Sequence, residues 1–140
     1  MRPHPSHTSN RSARRLSCRI WGGWERKQPR LAQIAAAACK QCGRGRLPEI
    51  RKPEKLDDLL MAGGKSVIAS VDGVSQEEAA RGLAGAAEIK LFVGPEGGFT
   101  KGELDFARSR GALFMNLGLY TLRAEEACFA ASAALLTRLG

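Results

Sequence analysis

Ten residues, LFVGPEGGFT at positions 91–100, set a glycine-rich loop between an apolar run and a helix start, a pattern suited to holding a ligand. Gly94, Gly97 and Gly98 let the backbone turn sharply and lie close to a bound molecule, Pro95 fixes one torsion, and Glu96 adds a carboxylate. The loop has neither the Lys-Ser/Thr ending of a phosphate-binding P-loop nor G-x-G-x-x-G spacing, which disfavours a nucleoside triphosphatase. Taken alone it is equally well a structural turn. A second loop, in LGLYTLRAEEA at 117–127, also follows an apolar run and precedes a helix, so in a parallel sheet the two can wall one pocket. Arg123 stands at that helix start, where the macrodipole does not favour a cation and another group is expected to hold it. The plain alternative is an ion pair with Glu96 or Glu125. Both histidines, His4 and His7, are far from either loop, so Ser-His or Cys-His nucleophilic catalysis has no support, and Cys128 reads as packing.

These loops need strands before them and helices after them, and the chain supplies both. LAQIAAAACKQC from Leu31 predicts an alanine-rich helix closed by Gly43. Pro53 at a first helical position predicts a short helix over Glu54–Ala62, ending at Gly63-Gly64. Ser66–Val71 reads as a strand with Asp72-Gly73 turning out of it, and Ser75 with Glu78 forms a capping box for a helix to about Ala87. Ile89–Val93 is the next strand, Thr100 and Glu103 cap a helix over Lys101–Arg110, and Leu113–Leu117 is the strand before the second loop. Ala124–Leu139 is helical and apolar nearly all round, hence buried in the core or against a second copy of the chain. The alternation predicts an α/β fold with a mostly parallel sheet.

The 140 residues suffice for one domain. No apolar run approaches a membrane span and no signal-like block opens the chain, so a cytoplasmic protein is expected. The net charge of +8 is uneven: residues 1–55 hold 14 Lys and Arg against three Glu, and residues 56–140 hold 8 against 11 acidic groups. A basic front beside a near-neutral core suits a polyanionic partner, with a solvated, disordered tail as the equal alternative. Residues 1–29 mix Pro, Ser, His, Arg and Gly around Trp21 and Trp24 without an apolar period, and poor order is expected there. Of Cys18, Cys39, Cys42 and Cys128, only Cys39 and Cys42 form a Cys-x-x-Cys pair; no metal is expected, and the pair reads as small, partly buried helix residues.

Three segments carry a family resemblance. LFVGPEGGFTKGEL followed by LGLYTLRAEEA is similar to the signature of the SPOUT methyltransferases, specifically the RsmE group, which methylates a uridine in bacterial small-subunit ribosomal RNA. RLAQIAAAACKQCGRGRLPEI, residues 30–50, resembles that group's helix, Gln-Cys/Ser-Gly-Arg turn and Leu/Val-Pro-Glu strand. The resemblance covers residues 30–140. It implies a partial SPOUT domain there, with a deep trefoil knot over about 66–140, an exception to unknotted topology. It implies S-adenosylmethionine as methyl donor, with Gly94, Glu96, Gly97 and Gly98 forming one wall of its pocket and Leu117, Gly118, Leu122 and Arg123 the other. It further implies a homodimer through the knot region and 16S ribosomal RNA of the small subunit as partner. Arg123 is expected to stabilise the developing uracil anion and Glu125 to orient Arg123 or accept the imide proton.

The chain departs from the group's pattern at Tyr120, Thr121 and Glu126, and because residues 1–29 resemble neither the group's N-terminal RNA-binding barrel nor the further elements of its methyltransferase domain, both are expected to be missing. RNA contact is therefore expected from Arg44, Arg46, Arg51, Lys52 and the basic tail, electrostatic and hardly sequence-specific. Three functions stay open: an active uridine N(3)-methyltransferase, a donor-binding and RNA-associating fragment without turnover, and an α/β dimerisation module.

Overall fold

A computed structural model describes residues 15–17, 24–95, 97–118 and 122–140. The elements run β1 (Arg15–Ser17), α1 (Trp24–Gln41), α2 (Leu56–Met61), β2 (Lys65–Val74), α3 (Gln76–Leu83), β3 (Ile89–Phe92), α4 (Lys101–Ser109), β4 (Leu113–Met115) and α5 (Ala124–Leu139). The strands form one sheet in the order β1-β3-β2-β4, and every pairing is parallel. That is the α/β arrangement the strand and helix alternation predicts.

Alternation along the strands divides the core into two layers, because successive side chains leave a strand on opposite faces. Val67, Ile89, Leu91 and Met115 pack with Ala79 and Leu83 of α3 and Ala131 and Leu135 of α5. Ile68 and Phe92 face the other way, onto Leu60 of α2 and Ala107 of α4. Burying side chains such as Val67 and Ile68, both fully covered, stabilises the fold by roughly 1.5–3 kcal/mol each. With both faces covered, β3 is buried throughout, as a central parallel strand must be.

Lys90 is the one charged side chain in that buried strand, and it is only 3% exposed. Its ammonium donates to the carbonyls of Leu59, at 2.9 Å, and Ala62, at 2.6 Å, the carboxyl end of α2. A cation there meets orphan carbonyls and the negative end of a helix, so the charge ties β3 to α2. On the opposite layer Arg138 of α5 pairs with Glu77 of α3 at 2.7 Å and draws the Glu77 carboxyl below its ordinary value, mainly through that hydrogen bond.

Several expectations differ from the structure, among them the ends of β3 and β4, which stop at Phe92 and Met115 and not at Val93 and Leu117. Helix α1 begins at Trp24 and runs through Pro29, seven residues before Leu31, and β1 lies within residues 1–29. Helix α2 begins at Leu56 and not at Pro53, capped by no side chain. Helix α3 ends at Leu83, ahead of Ala87. Asp72-Gly73 does not turn out of the sheet: β2 continues to Val74, and both Ala69 and Val74 take Met115 as register partner, so residues 70–73 bulge. Space explains Gly73 in that bulge, since a Cβ there would meet the Met115 backbone nitrogen and carbonyl carbon at 2.5 Å. Helix α5 has the bounds the sequence predicts.

Cys39 is buried on α1 with its thiol 3.8 Å from the Arg46 carbonyl, whereas Cys42 lies just past the helix and is exposed. Among the described residues no group of three or more His, Cys, Asp and Glu could hold a metal ion, and no helix is long and apolar enough to cross a membrane. His4, His7, Cys18 and Trp21 lie outside the described residues.

Candidate functional site

A cavity of about 300 Å³ opens at the carboxyl edge of the sheet, where β2, β3 and β4 all end. The position follows from topology: in parallel sheets the strand-to-helix loops gather at that edge. Three segments wall it. The β2 bulge gives Ala69, Ser70, Val71 and Asp72; the loop after β3 gives Val93, Gly94, Pro95, Gly98 and Phe99; the loop after β4 gives Asn116, Leu117, Gly118 and Leu122. Ala124 and Ala127 of α5 and Leu104 of α4 complete the lining.

The first loop is built as its composition predicts. Gly98 adopts φ +73° and its N–H donates to the Pro95 carbonyl at 2.8 Å, closing the loop on itself. A Cβ on Gly94 would sit 3.1 Å from the Phe99 ring, so glycine keeps the cavity open between loop and ring. Thr100 and Glu103 then form a reciprocal capping box, the Thr100 hydroxyl accepting the Glu103 amide and the Glu103 carboxylate accepting the Thr100 amide. That cap fixes where α4 starts and hence where the loop ends.

The second loop is held by side chains that its motif did not announce. Asn116 Nδ2 donates to the Val71 carbonyl at 2.6 Å, its Oδ1 accepts the Gly118 N–H at 2.7 Å, and its own N–H donates to Val74 at 2.8 Å. Gly118 itself has φ +139°, a conformation that L side chains rarely adopt. At the far end the Glu126 carboxylate accepts the Arg123 N–H at 3.0 Å, capping α5 from its third position. Glu126 thus acts on the helix start.

Of the residues expected to hold a ligand, Gly94, Gly98, Leu117, Gly118 and Leu122 line the cavity, while Gly97 and Arg123 do not. Glu96, Tyr120 and Thr121 lie outside the described residues. Arg123 and Glu125 are exposed, and among the described residues Arg123 makes no ion pair, with Glu125 or any other group. Arg44, Arg46, Arg51 and Lys52 lie in the irregular, exposed segment between α1 and α2, and none lines the cavity. Arg51 is partly neutralised there by Glu49, at 3.2 Å, and Glu54, at 3.8 Å. Sequence reasoning missed the β2 bulge, Asn116 and Phe99. Among the described lining residues Asp72 alone is ionisable, so the cavity offers apolar contact, backbone hydrogen bonds and one negative charge, a poor match for phosphates and a suitable one for a cationic or neutral organic ligand.

Parallel α/β domains take small molecules at this edge, where strand-to-helix loops converge on a cavity of this kind. The sequence profile of the RNA methyltransferase domain family matches residues 12–136, and the chain belongs to that family. It is 34% identical over 104 residues to the ribosomal RNA small subunit methyltransferase E of Aquifex aeolicus, a match covering 73% of this chain and 44% of that protein. The structure of ribosomal RNA small subunit methyltransferase E from Neisseria gonorrhoeae bound to S-adenosyl methionine superposes with a TM-score of 0.73 at 29% identity, covering 89% of this chain and 53% of that one. A Legionella pneumophila protein solved with the cofactor SAM bound superposes equally well, with a TM-score of 0.73 at 28% identity over 89% of this chain and 54% of its own. The chain therefore spans about half the length of the relatives it matches. The family profile also begins ahead of β1, so the family match takes in part of residues 1–29, where the motif resemblance begins only at Arg30.

Proposed function

We propose that this chain carries the donor pocket of an S-adenosylmethionine-dependent methyltransferase acting on N(3) of a uridine in 16S ribosomal RNA. One observation carries the reading: two glycine-bearing loops and a strand bulge converge on an apolar cavity whose described lining holds one carboxylate, that of Asp72, in a chain of the RNA methyltransferase family. S-Adenosylmethionine brings a sulfonium methyl that is electrophilic without covalent help, so the protein's work is alignment and removal of one weakly acidic proton. Gly94 and Gly98 form one wall of the pocket, and Leu117, Gly118 and Leu122 form the other. The cavity fits such a ligand in kind, since Gly94 leaves room beside Phe99 and Asp72 complements a cation.

Arg123 stabilises the negative charge that develops on the uracil as its imide proton leaves, and Glu125 accepts that proton. Among the described residues no carboxylate pairs with the Arg123 guanidinium, which supports this role. Arg44, Arg46, Arg51 and Lys52 bind the RNA backbone. The segment from about residue 66 closes as a trefoil knot, and two chains pair through it in the cytoplasm. Exposed Phe129 and Leu136 on α5 support the pairing, as apolar groups that a second copy can cover.

A second reading, that the chain binds donor and RNA without turning over, is favoured by the position of Arg123 and Glu125, which are exposed and do not line the cavity. Methyl transfer to unmodified small ribosomal subunits separates the two. Turnover by the unaltered chain, with a loss of about 10²–10³-fold in Arg123→Ala and donor affinity nearly intact, supports the first reading. Donor binding without transfer supports the second, and equal turnover in the variant removes Arg123 from the mechanism.

A further inference from the structure

The proposed donor pocket depends on two loops and a bulge keeping their relative positions, yet the bulge and the second loop are separated by more than forty residues of chain. We propose that Asn116 is the positioning residue that locks these two walls together; the inference rests on the donor-pocket reading above. Its side chain is the bridge. Nδ2 reaches the Val71 carbonyl in the bulge at 2.6 Å while Oδ1 takes the Gly118 N–H at 2.7 Å. The orientation of the amide is unambiguous, because the reverse would set oxygen against the Val71 carbonyl and NH2 against the Gly118 N–H. A third bond, from the Asn116 N–H to the Val74 carbonyl at 2.8 Å, fixes the residue's own backbone on the far side of the bulge. Val71, Asn116 and Gly118 all line the cavity, so the bridge spans the mouth of the site and not a remote corner.

The arrangement also explains why a short amide is needed. Gly118 at φ +139° presents its N–H away from any ladder partner, and only an acceptor one residue past the strand end can meet it. Serine could accept that bond but is too short to reach Val71 as well, and a carboxylate could accept it but would face the Val71 carbonyl with like polarity. Asn116 therefore acts on the donor through the walls it holds, without being required to touch it.

The test uses Asn116→Ala and Asn116→Asp, with S-adenosylmethionine affinity by calorimetry and residue-resolved amide exchange by NMR. Asn116→Ala is expected to weaken donor binding about tenfold or more, with faster exchange at Gly118 and little change at core amides such as Val67 and Leu91. Asn116→Asp, whose carboxylate can accept from Gly118 but has no hydrogen to donate to Val71, is expected to weaken donor binding as well. Donor affinity unchanged in both variants overturns the proposal, as does exchange at Gly118 that rises only in step with the core. If the unaltered chain binds no donor, the pocket reading itself fails and the positioning role falls with it, an outcome distinct from a variant that binds normally.

Discussion

Replacing Gly73 with Ala tests whether the β2 bulge is the structural hinge of the site. A Cβ at this position would lie 2.5 Å from the Met115 backbone nitrogen and carbonyl carbon and 2.6 Å from the Phe114 carbonyl carbon. All three are backbone atoms in the neighbouring strand, so no side chain can swing aside. Ordinary contact needs the bulge and β4 to part by about 1 Å. Asn116 bridges this same gap, with bonds of 2.6 Å to Val71 and 2.8 Å to Val74, and the displacement carries both beyond hydrogen-bonding range. Overpacking costs about 1–3 kcal/mol and two lost hydrogen bonds about 1 kcal/mol each, for a total of about 3–5 kcal/mol. Equilibrium urea unfolding measures it. Gly102→Ala serves as the control, because that glycine is inside α4 with nothing within 4 Å of its Cβ, and the change is expected to stabilise by about 0.5–1 kcal/mol. A Gly73→Ala protein within 1 kcal/mol of the unaltered chain refutes the reasoning.

Lys90→Met, which keeps the length of the buried stem and removes its ammonium, strands the Leu59 and Ala62 carbonyls and is expected to lower stability by about 1–3 kcal/mol, read by the same unfolding assay. The Glu77 carboxyl, drawn below its ordinary value of 4.5 by Arg138, contributes stability that is present above that value and is lost as pH falls through the lowered one. Thermal unfolding of Glu77→Gln is therefore expected to show its deficit against the unaltered chain at neutral pH and to converge with it in acid; a deficit that persists at low pH contradicts the account. Glu126→Gln keeps an acceptor for the Arg123 N–H but removes the charge from the helix start, and is expected to cost about 0.5–1 kcal/mol in thermal stability, whereas Glu126→Ala costs more by losing the cap itself.

What the sequence made legible follows from how local each signal is. Thr100 and Glu103 announce the start of α4 within four residues, and their reciprocal bonds are those the capping pattern requires. Helix α5 is an uninterrupted alanine- and leucine-rich run, so its bounds are equally local. Asp72-Gly73 misleads because it is a turn by composition, while the strand continues there only because β4, some forty residues later, lies against it. Asn116 was invisible for the same reason: its partner Val71 is 45 positions away, and a single asparagine after a strand carries no local signal. Glu126 could have been found, since a carboxylate three residues after the residue that opens a helix is the second half of a capping box. Pro29 and the polar residues around it hid the first turns of α1, a helix on which only Cys39 is buried, so neither apolar period nor core packing marked its start.

The most direct test of the central claim is calorimetric titration of S-adenosylmethionine into the purified chain and into a variant that fills the cavity from its lining, Gly94→Leu. The account predicts saturable binding with one donor per chain, abolished in the variant because even the first added carbon meets Phe99 at 3.1 Å, with the fold retained by circular dichroism. No binding by the unaltered chain, or equal binding by the variant, contradicts the assignment of this cavity as the methyl-donor site.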